Sequence, residues 1–382
     1  MDFELGEEQR AIQDLAAGFA AKEMAPHAAR WDAESIFPRD VVQKAAGLGF
    51  GGLYAQGEHG GSELSRLDAV LIFEQLSKAC PSTSAFISIH NMATWMVDSY
   101  GDDGQRARFI PDLCSMQSIA SYCLTEPSSG SDAAALRTTA VLEGGDYVLN
   151  GTKAFISGGG SNDLYVSMVR TGGQGPEGVS CIAVPKDARG LSFGAQEKKL
   201  GWHSQPTAMV IFEDCRVPAD NLIGGAGNGF KIAMAGLDGG RLNIAACSLG
   251  SAQGCLDMAI DYLGERKQFG RRLADFQALQ FRIADMATEL EAARLLLYKA
   301  ALKVEAKAPD ATRFAAMAKR KVTDVGFDVV NQALQLHGGY GYLADYPFER
   351  HLRDLRVHQI LEGTNEIMQM VVARDLLKAR LG

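Results

Sequence analysis

The segment QILEGTNE, residues 359–366, contains the side chain best suited to acid–base chemistry. Glu362 follows an Ile-Leu pair and precedes a glycine, so its carboxylate is poorly hydrated. Poor hydration raises the pKa and strengthens the carboxylate as a base once a ligand excludes water. We therefore predict that Glu362 is a general base. The alternative is structural, with Thr364 as the N-cap of a helix over residues 366–380 and Glu366 at its positive end.

A hydroxyl-rich loop, residues 122–132, joins a helical part of the chain to a β-rich part. Its sequence YCLTEPSSGSD concentrates hydroxyl groups and backbone N–H donors on a segment anchored by apolar residues. Such a loop could cradle a phosphate or the edge of a ring. The alternative is an ordinary Pro-Ser-Gly turn in which Ser131 or Asp132 caps the local backbone.

Two further segments could bind phosphate. Residues 266–272 carry four cations, enough for a pyrophosphate clamp, but the dipole would also favour cations at the end of a long helix. Residues 339–344 match the loose G-x-G-x-x-A dinucleotide pattern, yet a helix precedes them where a strand is required. Gly338 and Gly339 could instead bring bare backbone against a flat or phosphorylated ligand, or form an ordinary helix C-cap.

Three residues come closest to a metal-binding pattern. His351, Asp354 and His358 could share one helical face, but no H-E-x-x-H motif accompanies them and hydrogen-bonded or exposed roles are commoner. We predict that no metal is bound. The sequence also has no G-x-S-x-G elbow for a nucleophilic serine.

Composition excludes several classes of protein. The 382 residues have a net charge of -8 and no stripe of basic and aromatic residues, which argues against nucleic acid as a partner. The longest uncharged stretch, residues 79–97, contains a proline and several polar residues, so it does not predict a membrane span. Seven cysteines without C-x-x-C spacing fit reduced thiols. The acidic start predicts a cytoplasmic protein, although a mitochondrial-matrix protein whose presequence has been removed would look the same.

Hydrophobic periodicity divides the chain into helices, then strands, then helices. Apolar residues recur at helical spacing over residues 7–115, with Pro38, Pro81 and Pro111 marking starts and breaks. Helical patterns return after a glycine-rich linker at residues 224–229. The predicted long helices cover residues 230–266, 275–306 and 312–337, with shorter helices after them.

Residues 137–218 are β-rich. Short β-branched and aromatic runs lie between glycine-containing pairs at 144–145, 150–151 and 172–173, which supply the positive φ that hairpin turns need. We predict an antiparallel β unit, because a parallel doubly wound sheet would have strands that alternate with helices. The predicted strands cover residues 147–149, 154–156, 164–166, 182–184 and 209–212.

These patterns predict an α+β fold that is mainly α. The predicted domains are an N-terminal helical domain at residues 1–118, a middle antiparallel β domain at residues 119–225 and a C-terminal helical bundle at residues 226–382 that contains the candidate base. Bundle helices of ~25–35 residues are ~40–50 Å long and suit oligomer contacts.

Six segments, in a fixed order along the chain, carry a family resemblance. They are residues 122–127 (YCLTEP), 130–132 (GSD), 151–157 (GTKAFIS), 266–270 (RKQFG), 335–341 (QLHGGYG) and 361–366 (LEGTNE). These motifs and their order resemble the acyl-CoA dehydrogenase family over essentially the whole chain. The resemblance implies the acyl-CoA dehydrogenase fold, in which the middle domain is β-barrel-like, and a homotetramer with non-covalently bound FAD.

The resemblance also implies a reaction. Members remove an α-proton and a β-hydride from an acyl-CoA thioester and pass the electrons to electron-transferring flavoprotein. Residues 88–92, 153–158 and 356–362 imply a short branched-chain substrate, first isobutyryl-CoA in valine catabolism, with 2-methylbutyryl-CoA or butyryl-CoA behind it. The same patterns are also compatible with a flavin oxidase or monooxygenase of this fold, and the long helices with a non-enzymatic helical scaffold.

Carried over residue by residue, the resemblance implies Glu362 as the catalytic base. The implied FAD-binding residues are Tyr122, Leu124, Thr125, Gly130, Ser131, Phe155, Ile156, Ser157, Arg266, Phe269, Phe276, Gln277, Gln335, Leu336, Gly338, Gly339, Thr364, Asn365 and Glu366. The implied substrate-binding residues are Ser131, Asp238, Arg241, Gly363 and Arg374.

Three positions distinguish this chain from other members of the family. Phe155 stands where many members carry Trp beside the flavin, and Ser128 replaces a common Gly, so both could reshape the pocket. Some members place their base at about the position of Gly240, where this chain has no carboxylate. Glu362 is then the base that the resemblance implies.

Overall fold

The computed structural model describes residues 4–381, with helices in the first and last parts of the chain and strands between them. The prediction of a mainly α fold with a separate sheet is confirmed. The helices are α1 (Glu7–Phe19), α2 (Ala28–Glu34), α3 (Arg39–Ala46), α4 (Arg66–Ala79), α5 (Pro81–Tyr100), α6 (Asp103–Cys114), α7 (Gly229–Glu265), α8 (Gln277–Glu305), α9 (Ala311–Leu336), α10 (Phe348–Arg356) and α11 (Asn365–Leu381). The strands are β1 (Ala120–Cys123), β2 (Thr139–Glu143), β3 (Asp146–Ser157), β4 (Leu164–Arg170), β5 (Val179–Pro185), β6 (Leu191–Phe193), β7 (Thr207–Pro218), β8 (Leu222–Ile223), β9 (Lys267–Gln268) and β10 (Arg271–Arg272).

Two of the three marker prolines lie at helix starts. Pro38 is the N-cap of α3, and Pro81 occupies the first turn of α5, where its missing N–H removes no helical hydrogen bond. Pro111 lies inside α6, so the prediction that it marks a start or a break was wrong. The helix ends at Cys114, within one turn of the proline, which confines the disruption to its C-terminal end.

Strands β1–β8 form a single sheet in the order β6-β7-β3-β2-β4-β5-β8, with β1 also paired to β4. Most neighbours are antiparallel as predicted. However, β1 pairs with β4 in parallel, and β2 meets the end of β4 in parallel where Thr139 pairs with Arg170. β1 and β2 therefore follow one another along the same side of β4, and the hydroxyl-rich loop leaves the sheet between them.

Only one of the three predicted glycine turns is a hairpin of the expected kind. Gly144 and Gly145 have φ of 61° and 95° and join β2 to β3 as a two-residue turn. The pair 150–151 lies within β3, where it shifts the register against β7 instead of ending a strand, because both halves of β3 pair with β7. After β4, the positive φ belongs to Gly175 (88°) and not to residues 172–173.

Residues 266–272 form a β-hairpin and not the end of a helix, so that prediction was wrong. Helix α7 ends at Glu265, and β9 pairs with β10 in an antiparallel register. The turn residues Phe269 and Gly270 have φ of 54° and 79°, the conformation that a two-residue hairpin requires. Lys267, Arg271 and Arg272 therefore lie on the strands of the hairpin, whereas Arg266 is the C-cap residue of α7, where the helix dipole favours a cation.

Helix α7 is the centre of the C-terminal bundle. It packs against α4, α5, α8 and α9, and its 37 residues span ~55 Å. One buried apolar cluster joins these helices to α1, and a second joins α5 and α6 to β4 and β5. A third cluster lies within the sheet. No helix of residues 4–381 combines the length and the apolar character that a membrane crossing would need.

Candidate active site

A tight turn before α11 carries Glu362. Glu362 and Gly363 have φ of 54° and 89°, and positive φ costs a non-glycine residue free energy unless its surroundings hold it. Thr364 Oγ1 accepts the N–H of Ile367 at 3.3 Å and so caps α11. The helix cap and the unusual conformation of Glu362 therefore occur together in one turn.

Two cations hold this turn by its carbonyl groups. Arg241 Nε on α7 donates to the Glu362 carbonyl oxygen at 3.3 Å, and Lys319 Nζ on α9 donates to the Gly363 carbonyl oxygen at 2.8 Å. Asp238 Oδ1 accepts from Arg241 at 2.7 Å and orients the guanidinium. The turn is thereby attached to two helices of the bundle.

The Glu362 carboxylate lies against α5 and α7. A Cβ added to Gly240 would overlap Glu362 Oε2 and would lie 2.8 Å from Met92 Sδ, so the missing side chain makes room for the carboxylate. Glu362 Oε2 and the Tyr122 hydroxyl are both buried, and neither has a hydrogen-bond partner among residues 4–381. Buried polar atoms without partners are rare, and here they indicate a place where a ligand binds.

Burial raises the pKa of Glu362 from an ordinary value of 4.5 to about 7, although the charges of Arg241 and Lys319 offset part of the rise. Burial also raises the pKa of Tyr122 well above its usual range, with Cys181 and the Glu362 charge adding to the effect. Within the described chain, no acceptor takes the backbone N–H of Glu362. A carboxyl titrating near neutrality beside a free N–H donor can remove a proton from a ligand and stabilise the resulting negative charge.

Glu362 should make the stability of the protein depend on pH. Its folded-state pKa of about 7 exceeds the ordinary 4.5, so its contribution to stability is complete below about pH 4.5 and is lost as the pH rises to about 7. Glu362→Gln cannot ionise. We expect it to raise the free energy of unfolding by on the order of 2 kcal/mol at pH 8 and to change it little at pH 4.5. Urea unfolding of the purified protein at both pH values measures this.

Glu366→Gln is the matched control, because Glu366 is exposed and lies on the same segment. Hydrogen bonds from its own backbone and with Thr364 lower the pKa of Glu366, so this replacement should reduce stability above pH 4.5. If Glu362→Gln changed the free energy of unfolding equally at pH 4.5 and pH 8, the result would contradict the raised pKa of a buried Glu362 carboxyl.

A buried ion pair closes the hydroxyl-rich loop. Glu126 accepts the N–H groups of Arg137 and Thr138 at 2.6 Å and 2.9 Å, and Lys153 Nζ at 2.8 Å. Lys153 is fully buried on β3 and also donates to the Leu124 carbonyl oxygen at 3.1 Å. The two ends of the loop are thereby tied to each other and to β3.

An irregularity in β3 presents Phe155 to the outside. Residues two apart in a strand normally face the same side. The register shifts between Lys153 and Ile156, and Phe155 has φ of 58°, so Lys153 is buried whereas the Phe155 side chain is 69% exposed. The neighbouring Ile156 points inward, and Ser157 accepts the Ser121 hydroxyl through its carbonyl oxygen. The exposed ring offers a flat apolar surface beside the loop.

A second group of predicted residues surrounds a cavity of about 570 Å³ at the C-terminal end of α9. That volume is in the range of small-molecule sites. The members of this group on the cavity wall are Arg266, Gln335, Leu336, Gly338 and Gly339.

The remaining predicted residues lie beside one of these groups or apart from both. Phe269, on the hairpin, is 92% exposed and meets Phe276 edge to face at 6.2 Å, directly before Gln277 at the start of α8. Gly130 and Ser131 are exposed on the hydroxyl-rich loop. Arg374 is exposed on α11, and within the described chain it makes no hydrogen bond or ion pair to either group.

The three candidate metal ligands have protein partners. His351 and His358 each share a hydrogen bond with a serine hydroxyl of α7, at 2.6 Å and 2.7 Å, and Asp354 Oδ1 accepts the backbone N–H of Trp202 at 2.6 Å. Among residues 4–381, no group of three or more His, Cys, Asp or Glu side chains is arranged to hold a metal ion. These residues join α10 and the turn after it to α7 and to the segment before β7.

Comparison with known proteins assigns this arrangement to a family. Models described as the N-terminal, middle and C-terminal domains of acyl-CoA dehydrogenase match residues 6–117, 121–215 and 227–377. The chain belongs to the acyl-CoA dehydrogenase family. The resemblance predicted from the motifs is confirmed.

Individual acyl-CoA dehydrogenases and related proteins match over nearly the full chain. A Bos taurus protein named mitochondrial isobutyryl-CoA dehydrogenase is 57% identical over 374 residues, 98% of this chain and 90% of the relative. The structure of butyryl-CoA dehydrogenase from Megasphaera elsdenii is 37% identical with a TM-score of 0.96, covering 99% of this chain and 100% of that one. A structure titled as PigA with FAD and proline is 29% identical with a TM-score of 0.95, covering 98% of this chain and 99% of that one.

The acyl-CoA dehydrogenase motifs did not identify every residue at the site. Lys319 lies on the buried face of α9, four residues after Ala315 and three before Val322. A lysine at a position where the helical pattern expects an apolar residue could have been recognised from the sequence. Arg66 lies over the rings of Tyr54 and Trp95, at 3.9 Å and 4.9 Å. No local pattern marks it, because its partners are distant in sequence.

Proposed function

We propose that this protein catalyses the α,β-dehydrogenation of a short branched-chain acyl-CoA, with isobutyryl-CoA as the preferred substrate and methacrylyl-CoA as the product, as in valine catabolism. The observation that carries the proposal is the buried Glu362 Oε2 without a hydrogen-bond partner among the described residues, which lies against Gly240. The buried Tyr122 hydroxyl also lacks a partner within that part of the chain, and the Glu362 charge contributes to the rise of its pKa. The identity of 57% to a protein named isobutyryl-CoA dehydrogenase supports the choice of substrate.

Glu362 is the general base in this proposal. The α-hydrogen of a thioester is only weakly acidic, so its removal needs a desolvated base and a donor for the charge that develops on the carbonyl oxygen. The Glu362 carboxyl has a pKa of about 7 because it is buried. Its own backbone N–H is free to donate to the thioester oxygen. One residue therefore supplies both functions.

FAD is the cofactor, and the residues present fit it. The unpartnered Tyr122 hydroxyl and the exposed Phe155 ring suit a flavin ring, and the cavity at Arg266 offers a cation and glycine backbone to a diphosphate. When bound, FAD accepts the hydride from the β carbon. The proposed FAD contacts are Tyr122, Leu124, Thr125, Gly130, Ser131, Phe155, Ile156, Ser157, Arg266, Phe269, Phe276, Gln277, Gln335, Leu336, Gly338, Gly339, Thr364, Asn365 and Glu366.

The space beside the glycine-lined face of α7 is limited, which supports the proposal that the acyl group is short. Met96 from α5 packs against Gly236, and Met92 packs beside Gly240, so thioether side chains occupy much of the space next to the carboxylate. A Cβ at Gly239 would overlap the Arg66 guanidinium, which limits the space further. The proposed substrate contacts are Ser131, Asp238, Arg241, Gly363 and Arg374.

Filling Gly240 should displace the base. Gly240→Ala would push aside Glu362 Oε2 and Met92 Sδ, which are ends of flexible side chains, so we expect the protein to fold. We expect kcat/KM for isobutyryl-CoA to fall about tenfold, because catalysis is sensitive to shifts of an ångström or less. Gly264→Ala is the control on the same helix, since its Cβ would meet nothing within 4 Å. An active Gly240→Ala protein with an unchanged kcat/KM would contradict the proposed contact.

We propose electron-transferring flavoprotein as the electron acceptor and a homotetramer as the assembly. Large apolar side chains are exposed on the hairpin and on the bundle helices, including Phe269, Phe281, Leu302, Leu377 and Leu381. Exposed apolar surface of this kind is typical of subunit contacts.

The proposed domain boundaries follow residues 118 and 225. The last helix before the sheet ends at Cys114 and the first strand begins at Ala120, which supports the first boundary. The last strand of the sheet ends at Ile223 and α7 begins at Gly229, which supports the second. A cytoplasmic location, or the mitochondrial matrix for a protein whose presequence has been removed, stays a prediction.

The test is a comparison of kcat/KM for isobutyryl-CoA, 2-methylbutyryl-CoA and butyryl-CoA with a dye acceptor. One methylene typically changes discrimination by ~1–3 kcal/mol, so we expect isobutyryl-CoA to lead by roughly tenfold or more. A higher value for 2-methylbutyryl-CoA or butyryl-CoA would overturn the proposed substrate. Hydrogen peroxide formed in step with turnover would indicate an oxidase, and colourless purified protein would indicate a scaffold.

A further inference from the structure

Lys319 is a buried ammonium group that the proposed reaction does not use. Its side chain is fully buried on α9, and within residues 4–381 it forms no ion pair with a carboxylate. Its Nζ donates to the Gly363 carbonyl oxygen at 2.8 Å and to Asn365 Oδ1 at 2.9 Å. Taking an ammonium group out of water costs several kcal/mol, and among the described residues no carboxylate at ion-pair distance offsets this cost. Both acceptors belong to the turn that carries Glu362.

The contacts of Lys319 fix this turn at two points. Asn365 Nδ2 donates to Thr323 Oγ1 and Asp324 Oδ1 at 3.0 Å and 2.7 Å, so the residue that accepts the Lys319 hydrogen bond is itself tied to α9. The Gly363 carbonyl oxygen follows the two residues of positive φ. Positive φ at a glutamate persists only where neighbouring groups impose it.

The charged groups around the turn are few. Arg241 on α7 and Lys319 on α9 act on the Glu362 carboxylate, while Tyr122 on β1 and Cys247 on α7 are affected by its charge. Lys319 also faces the charges of three other residues. These are Arg241, Asp324 and Glu366.

We propose that Lys319 is a positioning residue that holds the Glu362–Gly363 turn in its left-handed conformation and favours the ionised, proton-accepting form of Glu362. This inference rests on the proposed role of Glu362 as the base. Burial alone makes that carboxyl hard to ionise, and a nearby cation offsets part of the cost. Burial is also the main cause that lowers the pKa of Lys319, to about 8, so the ammonium is mostly charged at neutral pH.

The experiment measures kcat/KM against pH for the FAD-loaded enzyme and its Lys319→Met, Lys319→Gln and Lys319→Arg variants. Activity of the parent enzyme should rise with pH through the pKa of Glu362. Without the cation, we expect the midpoint of this rise to move upward by about one pH unit in the Met and Gln variants. Lys319→Arg should keep the midpoint of the parent enzyme because it keeps the charge.

Lys321→Met is the matched control, because Lys321 lies two residues away on α9 and pairs with Glu289 at the surface. It should leave the midpoint unchanged. A fall in activity at every pH with the midpoint unmoved in the Met and Gln variants would overturn the electrostatic role. If neither folds, Lys319→Arg decides: a midpoint at the parent value supports the inference, and a midpoint moved upward overturns it.

A second readout does not need turnover. The pH range over which stability falls, between about 4.5 and 7 in the parent protein, should extend upward in Lys319→Met, because the folded-state pKa of Glu362 rises further. An unchanged range would overturn the inference. Failure of the parent enzyme to oxidise any acyl-CoA would refute the proposed function, whereas this stability measurement would still test the effect of Lys319 on Glu362.

Discussion

Replacing Glu362 with glutamine should lower kcat for acyl-CoA oxidation by about 100- to 10,000-fold while the yellow flavin stays bound. The amide cannot accept the α-proton, and the reaction has no substitute base, because residue 240 is a glycine. Within the described chain, the backbone contacts of the turn do not involve the Glu362 carboxylate, so the turn should persist. Steady-state turnover with a dye acceptor measures kcat. The flavin absorbance of the purified variant shows whether the cofactor stays bound.

Glu289→Gln is the matched control for this experiment. It makes the same chemical change on the surface of α8, where Glu289 pairs with Lys321. Its kcat should equal that of the parent enzyme. Retention of more than about a tenth of the parent kcat in Glu362→Gln would be too much for loss of a general base and would end the assignment of Glu362.

Lys153→Met should lower the free energy of unfolding by about 3–5 kcal/mol, the usual result of removing one partner of a buried ion pair. The Glu126 carboxylate would remain buried at the base of the hydroxyl-rich loop with only the N–H donors of Arg137 and Thr138. Lys153 also donates to the Leu124 carbonyl oxygen, so that acceptor loses its donor as well. Urea unfolding measures the stability, and flavin content after purification reports on the loop.

Two variants sharpen the interpretation. Lys321→Met removes a surface ion pair and should cost at most about 1 kcal/mol. Lys153→Met combined with Glu126→Gln should recover part of the loss, because no charge is then left buried without its partner. A double variant no more stable than Lys153→Met would show that the charge on Glu126 is not the cause.

The sequence was most informative where the physical cause is local. Apolar spacing placed α7, α8 and α9 within a few residues of their observed bounds, because a helix is set by residues three and four apart. The two glycines at 144–145 predicted a hairpin correctly, since positive φ at adjacent residues is a property of those residues. Thr364 likewise marked the start of α11.

Errors arose where a contact distant in sequence decides the local structure. The pair 150–151 became part of β3 because β7 pairs with both halves of that strand. The error at residues 266–272 had a local cause instead: the hairpin turn has positive φ at Phe269, a conformation that this residue type does not predict. The parallel pairing of β1 with β4 joins segments about forty residues apart. The hydrophobic periodicity of a strand does not predict which distant strand it pairs with.

The sequence by itself determined the order of helices and strands, the family motifs and the candidate base, because these depend on residue types at short spacing. Only the tertiary structure decided that Gly240 makes room for the Glu362 carboxylate and that Lys319 holds its turn. It also decided that Lys153 closes the loop at Glu126. These three contacts join residues 27 to 122 positions apart, and packing alone brings such residues together.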